Sequence, residues 1–220
     1  MFSGPTKHVE TVDEIMFYIV AISVILLLGI TVTMIYFVFK YNRKKGHEPV
    51  DIHGSVLLET IWVIIPTILV LSMFYYGFKG YIELRTYPEN SMEINVTARQ
   101  WDWAFKYANG RQTDTLYIPQ GQPIKLLMES VDVNHSFFVP AFRIKEDVIA
   151  GKVNTVGFTA DKTGNYDVAC AEYCGLKHSM MYTKIVVMPE QEFNDWYAAG
   201  EGTDKPSEGT EIPEEGSENQ

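Results

Sequence analysis

Two stretches of this chain contain no charged side chain, and they set its first-order organisation. From Ile15 to Phe39 there are 25 such residues and from Ile61 to Phe78 another 18. As helices rising about 1.5 Å per residue, both are long enough for a hydrocarbon layer of roughly 30 Å. The pattern predicts a polar lead at 1–14, a transmembrane helix at 15–40, a loop at 41–56 and a second transmembrane helix at 57–80. Tyr18 and Tyr36 are placed as interfacial anchors. Pro66, inside the second run, predicts a kink. The first run is about twice the length of a signal-peptide apolar region and no small-residue cleavage site follows it, so it reads as a span that is retained.

From about residue 91 the period changes from helical to alternating. Ile94, Val96 and Ala98 alternate with polar residues, as do Tyr166, Val168 and Cys170, and Ile124, Leu126 and Met128 mark a more apolar run. Turn signals separate them at Asn109-Gly110, between Pro119 and Pro123, and between Asp161 and Gly164. This predicts an antiparallel sandwich or barrel of about 100 residues. A short helix is expected from Pro189 to Ala199, with Glu190 and Glu192 in its first turn and Gly200 beyond its end. The whole of 81–200 is thus read as one β domain with a C-terminal helix.

Charge refines this organisation. The net charge is −10, yet Glu201–Gln220 alone holds seven acids against Lys205. With Ile212 as its only aliphatic residue, this stretch reads as a disordered acidic tail. Lys40, Arg43, Lys44 and Lys45 lie within six positions of the connecting loop. By the positive-inside rule that loop faces the cytoplasm or a mitochondrial matrix, and both chain ends and residues 79–220 face the other side. No basic patch of the size nucleic acid requires is present. Two cysteines exclude a disulfide-rich scaffold, and the absence of C-x-x-C-H excludes a covalently attached c-type haem.

Those cysteines carry the chemistry. Cys170, Cys174, His178, Met180 and Met181 put two thiols, an imidazole and thioethers within twelve residues, and His135 lies 35 residues upstream in an edge-like segment. Thiolate, thioether and imidazole together suit copper in electron transfer. Simpler readings exist for each member alone: a Cys170–Cys174 disulfide on the oxidising side of a membrane, a zinc site, and methionines that merely fill a core. The conjunction of all of them favours copper.

The chain resembles subunit II of the haem-copper cytochrome c oxidases, the family that carries the dinuclear copper A centre. The family pattern C-x-E-x-C-x3-H-x2-M is matched at Cys170, Glu172, Cys174, His178 and Met181, and D-V-x-H-S at Asp132, Val133, His135 and Ser136. The likeness extends from the first span to about residue 190 and includes the Q-W-x-W stretch at Gln100 to Trp103. It implies a two-helix hairpin followed by an all-β, cupredoxin-like Greek-key barrel or sandwich. It further implies that Cys170 and Cys174 bridge two coppers, that His135 and His178 each cap one, and that Met181 and the Glu172 carbonyl are axial ligands. The Glu172 side chain would help hold Mg2+ at the interface with subunit I. Trp101 would admit electrons from a cytochrome c, whereas Trp103, expected on the same side of the strand, reads as packing. Glu59 matches the glutamate at the mouth of a proton-uptake path, against a reading as a headgroup-snorkelling acid.

The resemblance thus implies the electron-entry subunit of a terminal respiratory oxidase. Its partners would be subunit I, which holds the oxygen chemistry since the spans lack haem ligands, further oxidase subunits and the lipid bilayer. The expected location is the bacterial cytoplasmic membrane, with the mitochondrial inner membrane as the alternative. Family members often surround the entry tryptophan with acids that steer a lysine-rich cytochrome. Here the stretch from Phe105 to Asp114 holds two basic residues, Lys106 and Arg111, and one acid, Asp114, with Asp132 retained elsewhere. That departure points to a tethered cytochrome domain, or one held in a supercomplex. Two rival readings are a quinol-oxidase subunit, which would lack the copper ligands, and a membrane-anchored copper storage or delivery protein.

Overall fold

The computed structural model describes residues 4–46, 51 and 53–200. The acidic tail at 201–220 lies outside the described residues. Two compact units divide the chain: Thr11–Ile82 forms one, and the residues up to Glu10 together with those from Glu83 form the other.

The first unit is made by most of α1 (Lys7–Lys40) and most of α2 (Val56–Arg85). Both are long and apolar enough to cross a membrane. α1 starts eight residues before the uncharged run at Ile15, so most of the expected polar lead is helical. Its 34 residues span about 51 Å, well beyond a hydrocarbon layer of roughly 30 Å, which leaves the charged first turns room outside that layer. The helices run antiparallel, since Tyr18 meets Ser72 through a 2.7 Å hydrogen bond and Tyr76 edge-on at 5.7 Å. Gly80 lets them approach closely near Thr11 and Ile15, because a Cβ there would stand 2.9 Å from Ile15 Cδ1. Pro66 lies inside α2, which continues through it to Arg85. Leu27, Ile30, Val38, Trp62 and Phe74 are exposed, a distribution suited to lipid or to apolar neighbours.

The second unit is a sandwich of two five-stranded sheets. One contains β1 (Met92–Arg99), β2 (Asp102–Lys106), β3 (Gln112–Thr113), β5 (Pro123–Ser130) and β8 (Asn154–Thr159), in the order β3-β2-β1-β5-β8. The other contains β4 (Leu116–Pro119), β6 (His135–Val139), β7 (Ile144–Val148), β9 (Gly164–Cys170) and β10 (Tyr182–Met188), in the order β4-β10-β9-β6-β7. α3 (Glu190–Ala198) follows β10.

The expected alternation is realised. Ile94, Val96 and Ala98 on β1, and Ile124, Leu126 and Met128 on β5, all face the core. Trp103, Phe105, Phe137, Phe142 and Phe193 are fully buried there. Such side chains each contribute about 2–3 kcal/mol by leaving water, which makes this core the main stabilising element of the unit. The antiparallel expectation needs one correction: β1 pairs with β5, and β10 with β4, in parallel. Alternation fixes which side chains point inward but carries no information on strand direction, and long connections allow parallel neighbours.

Candidate metal centre

Three strands and one loop converge on the thiols. β6 begins at His135 and lies beside β9, pairing Phe137 with Cys170. Cys170 ends β9 and Tyr182 begins β10, so the eleven residues between them form a loop closing one end of that sheet. Its base is fastened by Cys170 N–H donating to Met181 O at 3.1 Å and Ala171 N–H donating to Ser136 O at 3.0 Å. A single 3-10 turn at His178–Met180 then swings His178 back over the thiols and turns Met181 inward.

The donors are grouped as follows. The two sulfurs stand 3.7 Å apart. His135 Nδ1 is 3.8 Å from Cys170 Sγ, and His178 Nδ1 is 3.5 Å from Cys174 Sγ. Glu172 O lies 3.3 Å from Cys170 Sγ, and Met181 Sδ lies 3.9 Å from Cys174 Sγ. Donor atoms of His135, Cys170 and Cys174 all fall within 4.8 Å of one another. Each thiol thus has its own imidazole and its own weak donor. Met181 is fully buried with its sulfur at the cluster, while its neighbour Met180 is exposed. The two methionines that composition alone could not separate have different roles.

The electrostatics fit a cation. Burial, reinforced by the adjacent Cys170 sulfur, pushes the Cys174 thiol up to about 11. A Cys174 thiolate in this position is therefore favoured by a positive charge beside it. Burial also works against the Asp132 carboxylate, but hydrogen bonds from His135 and from the Gln100 and Val133 N–H groups outweigh it and bring Asp132 down to about 2. Because Asp132 is an acceptor only, the 2.9 Å contact with His135 requires the proton on Nε2, which leaves the Nδ1 lone pair facing Cys170. Metal-binding histidines commonly use a carboxylate in this way. The His135 ring is fully buried, with the Trp103 indole edge-on to it at 6.2 Å. A mixed sulfur, imidazole, thioether and carbonyl set arranged about two adjacent thiols fits copper better than zinc, which is usually closed by four Cys, His or carboxylate ligands.

Trp101 departs from the sequence expectation in position. It lies in the turn between β1 and β2 rather than on the strand with Trp103, and it is half-buried while Trp103 is buried. Its indole Nε1–H donates to Cys174 O at 3.2 Å, so the ring touches the backbone of a thiol residue. Gln100, to which the sequence assigned no role, ties the site together. Its N–H donates to Asp132 Oδ2 at 2.7 Å and its side-chain amide donates to Cys174 O at 2.7 Å. Gly175 is the other residue not singled out, although a glycine directly after a candidate ligand is a usable signal. Its φ is +115°, and a Cβ would stand 3.0 Å from Gln100 Nε2 and 3.2 Å from Trp101 Cζ2.

Glu172 is exposed on the loop, and Glu59 is exposed in the first turn of α2. Glu59 is not part of the thiol cluster and belongs to the other unit. A polar cleft of about 650 Å³ beside Trp103 is lined by Arg99, Asp102, Gln112 and Asp114, and none of the six candidate donors borders it.

Comparison with known proteins gives the family of both units. A family model described as cytochrome C oxidase subunit II, transmembrane domain, matches residues 3–79, and one described as cytochrome C oxidase subunit II, periplasmic domain, matches residues 111–188. Cytochrome c oxidase subunit 2 of Alkalihalophilus pseudofirmus is 34% identical over 190 residues, which cover 81% of this chain and 56% of that protein. Cytochrome c oxidase subunit 2 of a Synechocystis species is 28% identical over 240 residues, covering 86% of this chain and 72% of that one. The chain therefore spans little more than half the length of the first of these relatives. A chain of a heme-copper terminal oxidase dimer solved by cryo-EM shares the fold, with a TM-score of 0.50 and 24% identity over 60% of this chain and 99% of that chain. The transmembrane match falls on the two apolar helices, so this is a membrane protein. With one model on the helices and the other on the sandwich that bears the thiols, the chain belongs to the cytochrome c oxidase subunit II family.

Proposed function

We propose that this chain is the electron-entry subunit of a terminal respiratory oxidase, taking electrons from a cytochrome c and passing them to a haem-copper catalytic subunit. That subunit would reduce O2 to water with proton translocation. The observation that carries the reading is the pairing of each thiol with its own imidazole and weak donor, with Trp101 hydrogen-bonded to the Cys174 carbonyl. His135, Cys170, Cys174, His178, Met181 and the Glu172 carbonyl would hold a dinuclear copper centre. When bound, such a centre supplies one-electron transfer with the charge shared over two metals.

The chain's own residues prepare that chemistry. Asp132 keeps the His135 proton on Nε2 and the donor lone pair on Nδ1. Burial of Cys174 and Met181 keeps bulk water from the sulfurs. Gln100 fixes the Cys174 carbonyl from one side while the Trp101 indole donates to it, which gives a donor's electron a short covalent and hydrogen-bonded route inward. The exposed Glu172 carboxylate suits a hard cation, and Mg2+ shared with subunit I fits there. Glu59 would admit protons to the catalytic subunit. The chain ends and the β domain would lie outside a bacterial cytoplasmic membrane, with Arg43, Lys44 and Lys45 inside.

Two measurements on the assembled oxidase test these roles. Trp101→Phe removes the Nε1–H donor, and rapid mixing with reduced cytochrome c will show slower reduction of the copper with the centre intact; an unchanged rate contradicts the entry role. Glu59→Gln will lower proton uptake by the reconstituted complex, and unaltered uptake removes Glu59 from the path.

A further inference from the structure

The C-terminal half of α1 leads an apolar groove into a cluster of cations. Gly29, Ile30, Thr33, Met34, Phe37 and Val38 line an open groove of about 510 Å³ along the helix. Their spacing of three and four places them on successive turns of one face. The Thr33 hydroxyl donates to Gly29 O at 2.8 Å, so this face offers a ligand hydrocarbon rather than a polar partner. A Cβ on Gly29 would meet nothing within 4 Å, and Ile30, Met34, Phe37 and Val38 are each at least half exposed. The close approach of α2 lies further down α1, at Thr11, Ile15 and Tyr18.

The charges begin where the groove ends. Tyr41 N–H donates to Phe37 O at 2.8 Å, which carries the helix on, and the Tyr41 ring stands edge-on to Phe37 at 5.7 Å. Lys40 falls in the same column as Gly29 and Thr33, eleven and seven residues before it. Its Nζ lies 5.2 Å from the centre of the Tyr36 ring and 5.3 Å from that of Tyr41. Arg43, Lys44 and Lys45 follow on a 3-10 turn that is fixed at both ends. The Asn42 side chain accepts from Lys44 N–H at 2.9 Å, and Gly46, at φ +68°, donates its N–H to Arg43 O. All four cations are exposed. The acids nearest in sequence, Glu48, Asp51 and Glu59, come only after Gly46.

We propose that the groove and the basic turn are one binding site for an anionic phospholipid, with an acyl chain along Gly29 to Val38 and the phosphate headgroup at Lys40, Lys44 and Lys45. The lengths agree. Gly29 to Lys40 covers about 17 Å of helix, close to the depth of one leaflet in a hydrocarbon layer of roughly 30 Å. Tyr36 and Tyr41 then stand at headgroup level, where aromatic side chains anchor a span. Charge decides between occupants. An apolar helix could pack on Gly29 and Thr33, but it would leave the four cations unneutralised. An anionic headgroup neutralises them, each cation near the surface strengthening its attraction by about 5-fold.

The test is native mass spectrometry of the full chain, released from detergent with equal amounts of dioleoyl phosphatidylglycerol and dioleoyl phosphatidylcholine, and then of the assembled oxidase under the same conditions. The wild-type chain is expected to retain phosphatidylglycerol about 10-fold or more over phosphatidylcholine, and to keep it on assembly. Lys44→Gln combined with Lys45→Gln is expected to cut that preference about 5-fold or more. Gly29→Leu fills the groove without crowding the helix, and is expected to lower retention of both lipids by about 3-fold or more. Equal retention of the two lipids by the wild-type chain would overturn the proposal. So would a preference that survives the lysine substitutions, or phosphatidylglycerol retention unchanged by Gly29→Leu. Loss of the lipid on assembly would show that a neighbouring helix fills the groove, and would overturn it as well.

Discussion

Asp132 and Gly175 show how single residues outside the donor set shape the centre. The Asp132 carboxylate holds His135 in one tautomer, and outer hydrogen bonds of this kind typically carry 10- to 100-fold in metal affinity. Asp132→Asn preserves the shape but lets the amide present either an acceptor or a donor to Nε2. It will weaken copper retention by about 10-fold or more, measured by competition with a chelator, and equal retention would remove Asp132 from the account. Gly175 is held at φ +115°, where a Cβ would press on both Gln100 and the Trp101 ring. Gly175→Ala will displace the indole from the Cys174 carbonyl and slow reduction of the copper, with the copper spectrum kept. Loss of copper instead would mean that Gly175 shapes the loop and not the entry route. The two thiols, the two imidazoles and a pair of candidate thioethers were legible from spacing and side-chain chemistry, whereas Met181 in preference to Met180 and the Glu172 carbonyl were named only by the family resemblance. The residues that orient the donors were not legible, because a carboxylate three positions from a histidine or an amide in a turn becomes meaningful only once β1, β6 and the loop after β9 meet.

At the scale of elements, α3 is held by Arg111, a buried cation. Its guanidinium donates to Trp196 O at 2.8 Å and to Gly200 O, and lies 4.4 Å from the centre of the Trp196 ring. The carbonyls at the end of α3 are thereby satisfied by a positive group, the sign that a helix C-terminus favours. The same arginine looked from the sequence like part of an open basic stretch near the entry tryptophan, and burial removes it from that surface. Arg111→Ala will destabilise the protein by about 2–4 kcal/mol, read from thermal unfolding of the full chain in detergent, and Arg111→Lys will recover little because it lacks the planar fork. A change below about 0.5 kcal/mol would show that the clamp is incidental. Alternation located β1, β5 and β9 correctly, whereas the parallel pairings β1–β5 and β10–β4 had no local signal. The early start of α1 was hidden for a related reason: Lys7 to Glu14 is polar, and an apolar run marks where a helix enters lipid better than where the helix begins.

For the whole molecule, the net charge of −10 says little about the partner. Much of it belongs to residues 201–220, Asp132 is turned to His135, and Lys177 stands over Trp101. The proposed function rests instead on two cysteines in 220 residues. The most direct test of that claim is the electron paramagnetic resonance spectrum of the full chain, purified in detergent and loaded with copper. The account predicts one unpaired electron shared over two coppers, retained in Met181→Leu with an altered potential and absent from Cys170→Ser and Cys174→Ser. A spectrum of a single isolated Cu(II), or the same shared-electron signal surviving the loss of either thiol, would contradict it.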